Sequence, residues 1–228
     1  MVEGINMKTI LSVTDLLEKS KTFDGWFNEV EMNLMFDTVA SLENKGCLVE
    51  IGSWCGRSLT VITAAAIKAN LTVPIYSIDP YLTSKDEPNG MYEKFVSNLK
   101  SVGIWDRIKH IKEKSQIIGN KFNEDIEFVF IDGMNKYEAV KRDFELFYPK
   151  VINGGYIAFH DMFSFWGPTK LVQEILEQYS DLKFIKRESE TLILQKVDRL
   201  SAQELQNNKQ FLTKIKDFMS KHADKLHK

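Results

Sequence analysis

The chain has 228 residues, 43% of them hydrophobic, and a formal net charge of −2 at neutral pH. That length suits one α/β domain with a short extension, and the apolar share supports a sizeable core, which excludes wholesale disorder. Acids and bases are mixed along the sequence, so nucleic acid is not expected as the main partner. No window approaches the length of a membrane span, and residues 1–6 carry no basic region leading into an apolar stretch, so the expectation is a cytoplasmic protein without a membrane partner. Cys47 and Cys55 are too few for a disulfide framework and read as reduced, partly buried thiols.

Residues 12–43 have helical spacing, with Leu16, Leu17, Trp26, Phe27, Val30, Leu34 and Met35 recurring on one side. Phe23-Asp24-Gly25-Trp26 splits this region into two helices, the second expected to pack on the sheet or close over a site. Cys47 to Ile51 reads as a first strand and 58–69 as an alanine-rich helix. Ile75 to Asp79 is a second strand that stops at an acid. A polar loop over 83–89 follows, with Pro88, Asn89 and Gly90 marking a turn. Residues 91–102 are helical, and 108–111 form a short third strand ahead of Lys114-Ser115-Gln116. Residues 126–131 make a strongly apolar fourth strand ending at Asp132. A helix over 137–148 is ended by Pro149, and Asn153-Gly154-Gly155 reads as a turn.

A fifth strand over 156–161 ends at Asp161, and a helix spans 169–178. Two last strands, 182–186 and 191–196, join through Glu188-Ser189-Glu190. From Ser201 onward the pattern is a charged helix whose apolar stripe is Phe211, Leu212, Ile215 and Phe218. That helix has three open placements: on its own domain, across a dimer, or frayed. The alternation of strands and helices predicts an α/β fold, a Rossmann-like doubly wound sheet, mostly parallel, with helices on both faces. The two closely spaced last strands require one antiparallel strand. The expected organisation is N-terminal helices over 1–45, a core over 46–198 and a C-terminal charged helix over 199–228.

The stretch Leu48-Val49-Glu50-Ile51-Gly52-Ser53-Trp54-Cys55-Gly56-Arg57-Ser58 is a strand, a tight turn and a helix N-terminus in succession. Gly52 and Gly56 remove side chains where a ligand approaches the backbone. The following helix offers free N–H groups and a positive dipole end to a carboxylate or phosphate. The alternative is a turn whose glycines serve packing alone. The spacing E-x-G-x-x-x-G differs from the G-x-G-x-x-G of a dinucleotide turn and lacks the Gly-Lys-Ser/Thr of a phosphate loop. In this form it resembles the first motif of class I S-adenosylmethionine-dependent methyltransferases.

Ligands of open α/β sheets sit beyond the carboxyl ends of the strands. Glu50, Asp79, Asp132 and Asp161 all lie there, and four carboxylates on one rim repel unless each has a partner. Asp79 is expected at the cofactor ribose, accepting from two hydroxyls; the alternative is a turn acid before Pro80. Ser115 and Gln116 would edge the adenine or form a solvated loop. The expected cofactor-binding set is Glu50, Gly52, Ser53, Gly56, Ser58, Asp79, Tyr81, Ser115 and Asp132. Arg57 pairs with the cofactor carboxylate, with Glu50, or with solvent.

Phe128-Val129-Phe130-Ile131-Asp132-Gly133-Met134-Asn135-Lys136-Tyr137-Glu138-Ala139-Val140-Lys141-Arg142-Asp143, followed by Gly154-Gly155-Tyr156-Ile157-Ala158-Phe159-His160-Asp161, resembles the metal-dependent small-molecule O-methyltransferases. The branch that methylates sugars and hydroxylated natural products is the nearest, and the likeness runs over roughly residues 25–197. It implies S-adenosylmethionine as cofactor, a small hydroxylated acceptor, and a Mg²⁺-type cation held by Asp132 and Asp161. Methyl transfer is an in-line displacement by an oxygen that must lose its proton, and a hard cation on the hydroxyl favours that loss. Neighbouring strands lie about 4.8 Å apart, so acids at their ends can share one ion.

One departure stands out. The family often shows Asp-Gly-x-His, with the histidine as general base, whereas here Asn135 takes that place. Asn135 can ligate or hydrogen-bond through its oxygen but cannot accept the proton. His160 stands where the family commonly has a metal-touching acid. It is a candidate ligand or base, or else a core histidine turned away. Lys136 and Tyr137 are further candidates, and two acids acting as hydrogen-bond acceptors without metal also fit. The expected catalytic set is therefore Asp132, Asn135 and His160, and the metal set Asp132, His160 and Asp161. Trp54, Tyr81, Phe163, Phe165 and Trp166 are expected at the same rim, as a wall for the acceptor, lid packing or a homodimer contact. Two other readings remain: a nicotinamide-dependent oxidoreductase, disfavoured by the glycine spacing and the lack of a Tyr-x-x-x-Lys pair, and a non-catalytic S-adenosylmethionine-binding protein.

Overall fold

The structure, a computed structural model, describes residues 10–82 and 90–226. The polar loop expected over 83–89 lies outside the described residues. The N-terminal helices start where the sequence supplies caps. Ser12 Oγ accepts from the Asp15 N–H at the head of α1 (Val13–Ser20). Asn28 and Glu31 form a reciprocal capping box at the head of α2 (Glu29–Ala40). Then come β1 (Cys47–Ile51), α3 (Arg57–Lys68), β2 (Ile75–Ile78), α4 (Met91–Ser101), β3 (Ile108–Ile111) and α5 (Ser115–Gly119). The chain continues through β4 (Ile126–Ile131), α6 (Tyr137–Phe147), β5 (Val151–Phe159), α7 (Trp166–Gln178), β6 (Leu182–Glu188), β7 (Thr191–Lys196) and α8 (Ala202–Leu226). Helix α7 begins three residues ahead of the expected Thr169. Pro168 falls in its first turn, where a missing N–H breaks no helical bond.

The seven strands run in the order β3-β2-β1-β4-β5-β7-β6. β7 pairs antiparallel with β5 and β6, and the other neighbours are parallel. The order reverses at β1, which has β2 on one side and β4 on the other, so a ligand crevice belongs above the ends of β1 and β4. Both faces are covered. Leu48, Phe128 and Phe130 pack with Leu16, Met35, Leu59 and Phe95 of the first four helices. Val49, Ile51 and Val129 pack with Phe144, Val172 and Ile215 of the later helices. Double burial is why β1 and β4 read as continuous apolar runs rather than alternating ones.

Asn153-Gly154-Gly155, expected as a turn before the fifth strand, lies inside β5. Ile126 pairs with Val151 and Phe128 with Tyr156, so β5 carries an outsized bulge that Gly154 absorbs at φ +85°. Strand β5 ends at Phe159, which leaves His160 and Asp161 on the loop beyond it. Helix α8 packs on its own domain. Phe211 stacks on Phe184 with ring centroids 4.1 Å apart, and the Asn208 side chain bridges Leu182 O and Phe184 N–H of β6. No helix among the described residues is long and apolar enough to cross a membrane.

Candidate active site

A cleft of about 1270 Å³ opens above the ends of β1, β2, β4 and β5. It exceeds the roughly 300–1,000 Å³ of a pocket for one small ligand, so it has room for two. Of the residues expected to bind the cofactor, Gly52, Ser53, Ser58, Asp79, Ser115 and Asp132 line it. Glu50, Gly56 and Tyr81 do not.

Each of those three displaced residues has a packing reason. Glu50 is buried behind the loop, where Oε1 accepts from Ser58 Oγ at 2.6 Å and Oε2 has no hydrogen bond. Burial pushes its carboxyl up to about 8, which favours the neutral form. At Gly56 (φ +83°) an added Cβ would meet Leu99 and Phe95 of α4 at 3.0 and 3.3 Å, so this glycine serves packing. Gly52 (φ +83°) does line the cleft, but the atom its missing Cβ makes room for is the Asp132 carbonyl oxygen, 2.2 Å away. Tyr81 donates its hydroxyl to Trp54 O and packs its ring on Tyr92, Phe95 and His110.

Asp79 shapes the loop from the next strand. Its Oδ2 accepts from the Ser53 and Trp54 N–H groups, and Oδ1 from the Tyr81 N–H. A carboxylate offers about four acceptor sites, so one is left for a ligand hydroxyl, not the two expected. Helix α3 opens on Gly56 with no side-chain cap, leaving its first N–H groups free for an anion. Arg57 meets neither Glu50 nor a free face. Its guanidinium donates to the carbonyls of Lys21, Phe23 and Phe27 and straps that segment across the cleft.

At the ends of β4 and β5 the acids gather round an imidazole. His160 is 4% exposed, with Nδ1 3.1 Å from Asp132 Oδ1 and 3.5 Å from Asp161 Oδ1. Its Nε2 lies 3.3 Å from Glu31 Oε1, off the line of a hydrogen bond. Phe27 and Phe130 set their rings edge-on to it. His160 therefore faces the site. Burial works to lower its pKa, but Asp132, Asp161 and Glu31 outweigh it and push the imidazole up to about 12. It is protonated at neutral pH and, in this state, is no general base. Burial also works to raise Asp161 and Glu31, yet His160 and hydrogen-bond donors hold both below the usual carboxylate range. Asn135 lines the cleft and its side chain bonds Asp161. Every rim acid thus has a partner: Ser58, backbone N–H groups, or His160.

Two residues of the site were not anticipated. Glu31 is 1% exposed and comes from α2. Its Asn28-x-x-Glu31 capping pattern is visible in the sequence, but its approach to His160 is not. Asp143, on α6, lines the cleft and accepts from Ser115 Oγ at 2.6 Å, and burial pushes it up to about 6. The aromatic rim divides. Trp54 and Phe165 line the cleft, joined by Trp26, which is 77% exposed with its ring 5.5 Å from that of Trp54. Phe163 instead packs on Phe218 of α8 beneath Arg187, and the Trp166 ring meets Tyr137.

A Rossmann-like sheet with its crevice above β1 and β4, an uncapped helix and a cluster of acids defines a methyltransferase-type α/β protein. A family model described as a methyltransferase domain matches residues 49–162, and the chain belongs to that family. An uncharacterized protein of Acanthamoeba polyphaga mimivirus is 32% identical over 149 residues, which span 60% of this chain and 64% of that relative's length. Among solved structures, the O-methyltransferase NovP superposes with a TM-score of 0.63 at 16% identity, covering 73% of this chain and 79% of NovP. TomG from Streptomyces achromogenes, an O-methyltransferase of tomaymycin synthesis solved with S-adenosylmethionine, gives 0.60 at 14% identity, covering 85% and 92%. These likenesses show a common fold.

Proposed function

We propose that the protein transfers a methyl group from S-adenosylmethionine to a hydroxyl of a small acceptor, with a divalent cation at Asp132, His160 and Asp161. The observation that carries this reading is the double position of Asp132. Its backbone abuts Gly52 of the β1–α3 loop, while its carboxylate reaches His160. The cofactor loop and the acid cluster therefore meet at one residue, inside a cleft with room for two ligands.

The residues present fit a cation: one ligand atom from each of Asp132, His160 and Asp161 lies within 4.8 Å of the others. Two carboxylates and an imidazole suit a borderline ion such as Mn²⁺ or Fe²⁺ as well as Mg²⁺. When bound, S-adenosylmethionine supplies the electrophilic methyl carbon and the cation supplies the Lewis acid that acidifies the acceptor hydroxyl. The chain's own part is alignment. The free N–H groups of α3 take the cofactor carboxylate. The remaining acceptor site on Asp79 takes one ribose hydroxyl, and Asn135 holds Asp161 in place. Asn135 has no basic atom, and a His160 that ligates the cation through one nitrogen and keeps a proton on the other would have no free lone pair, so the carboxylate oxygens of Asp132 and Asp161 remain to receive the acceptor's proton.

The test is binding followed by turnover. S-adenosylmethionine raises the melting temperature and NAD does not; a chain indifferent to S-adenosylmethionine would refute the reading. With small hydroxylated acceptors, methyl transfer falls in EDTA and returns with Mn²⁺ or Mg²⁺. Asp161→Asn lowers turnover roughly a hundredfold or more while the cofactor-induced shift persists. Tight cofactor binding with no turnover under any of these conditions would overturn the catalytic reading and leave a binding protein without chemistry.

A further inference from the structure

We infer that Glu31 is a positioning residue that turns the Nδ1 edge of His160 toward the Asp132–Asp161 pair. The inference rests on the cation reading above. Glu31 lies on α2, outside the matched span 49–162.

The Glu31 carboxylate is 1% exposed and is pinned from two directions. Asn28 N–H donates to Oε2 at 2.9 Å within the capping box. Glu190 N–H and Thr191 Oγ1, from the β6–β7 hairpin, donate to Oε1 at 3.0 and 3.1 Å. Oε1 thus accepts twice and Oε2 once, and His160 Nε2 stands 3.3 Å from Oε1 as an ion-pair contact outside hydrogen-bond geometry. Phe27 and Phe130, their ring centroids 5.8 Å apart, both pack edge-on against the imidazole, at 5.8 and 6.1 Å. The charged groups that face the ring are Glu31 on one edge and Asp132 and Asp161 on the other.

A ring nitrogen set against a buried carboxylate keeps its proton. The other nitrogen is then the one whose lone pair can serve a cation. Nδ1 is that nitrogen, and it already stands beside the two aspartates. This is a carboxylate–histidine–metal relay in which the outer carboxylate sets the tautomer and strengthens the ligand. Asp132, Asp161 and Nδ1 would hold a divalent cation there, two carboxylates and a neutral imidazole balancing its charge, with the Nε2 edge left toward Glu31.

The test titrates Mn²⁺ into the full chain by calorimetry, with S-adenosylhomocysteine affinity measured alongside. The wild type binds one Mn²⁺, and pulsed EPR shows imidazole nitrogen coupled to it. Glu31→Gln weakens Mn²⁺ binding about 10–100-fold and diminishes the nitrogen coupling, with S-adenosylhomocysteine affinity unchanged. Glu31→Asp restores part of the loss. Equal Mn²⁺ affinity and coupling in wild type and Glu31→Gln would overturn the inference and leave the proposed function standing. A wild type that binds S-adenosylhomocysteine but no divalent cation would remove the cation reading and this inference together. Should Glu31→Gln fail to fold, nitrogen-15 histidine NMR of the Zn²⁺-loaded wild type decides. A proton on Nε2 supports the assignment; a proton on Nδ1 with the metal on Nε2 overturns it.

Discussion

Glu50 shows how one side chain can carry a sequence motif yet stand outside the cleft that the motif suggests. Its carboxyl is fully buried, with the Ser53 and Ser58 hydroxyls too weak to offset the burial, and its pKa rises from 4.5 to about 8 on folding. The unfolded chain releases this proton near 4.5 and the folded chain near 8, so the folded state holds the extra proton in between. The stability linked to Glu50 is therefore full below the unfolded value, falls as pH rises across that window, and is gone above the folded value. Glu50→Gln removes this dependence. Urea denaturation at pH 6 and pH 9 should show the variant gaining on the wild type as pH rises, by on the order of a few kcal/mol. An unchanged difference at the two pH values would show that Glu50 ionises normally. Gly52 makes the complementary case: alanine there meets both φ +83° and a carbonyl oxygen at 2.2 Å, two separate obstacles. Soluble expression of Gly52→Ala should collapse, whereas an alanine as stable as wild type would mean that the β1 and β4 ends are not in contact.

At the scale of elements, most of the fold is legible because it follows period and punctuation. The buried runs of β1 and β4, the caps at Ser12 and Asn28, and the break at residues 23–26 are all local signals. What escapes is decided by partners far along the chain. The bulge in β5 depends on register against β4. The candidate site divides in the same way. Asp132 and Asp161 declare themselves as acids at strand ends. Glu31 and the role of Arg57 emerge only when α1 and α2 are laid on α3. The Arg57 strap can be cut. Arg57→Ala leaves three carbonyls without a charged donor and should cost about 2 kcal/mol in urea denaturation. It should also open the 21–28 segment to proteases, and an unchanged cleavage pattern would show that other contacts hold that segment.

For the molecule as a whole, ligand linkage gives a number to check. S-adenosylmethionine at a hundred times its Kd adds about 2.7 kcal/mol. For a chain of this size that corresponds to a rise of roughly 5–10 °C in Tm. A cleft open to solvent along the Trp26 and Phe165 rim should give a second rise when the acceptor joins the cofactor, and the absence of any additive effect would argue that the extra volume is not an acceptor site.

The tip of the β6–β7 hairpin has a temporal meaning as well as a spatial one. Asn28 meets Ser189 across 161 positions, and Glu31 meets Glu190 across 159. During synthesis the ribosome delivers the start of α2 long before the backbone that will pin it. A nascent polypeptide that has emerged only through β5 lacks the hairpin backbone that donates to Glu31. The pinning of Glu31 waits for the last hairpin, which follows it by 159 positions.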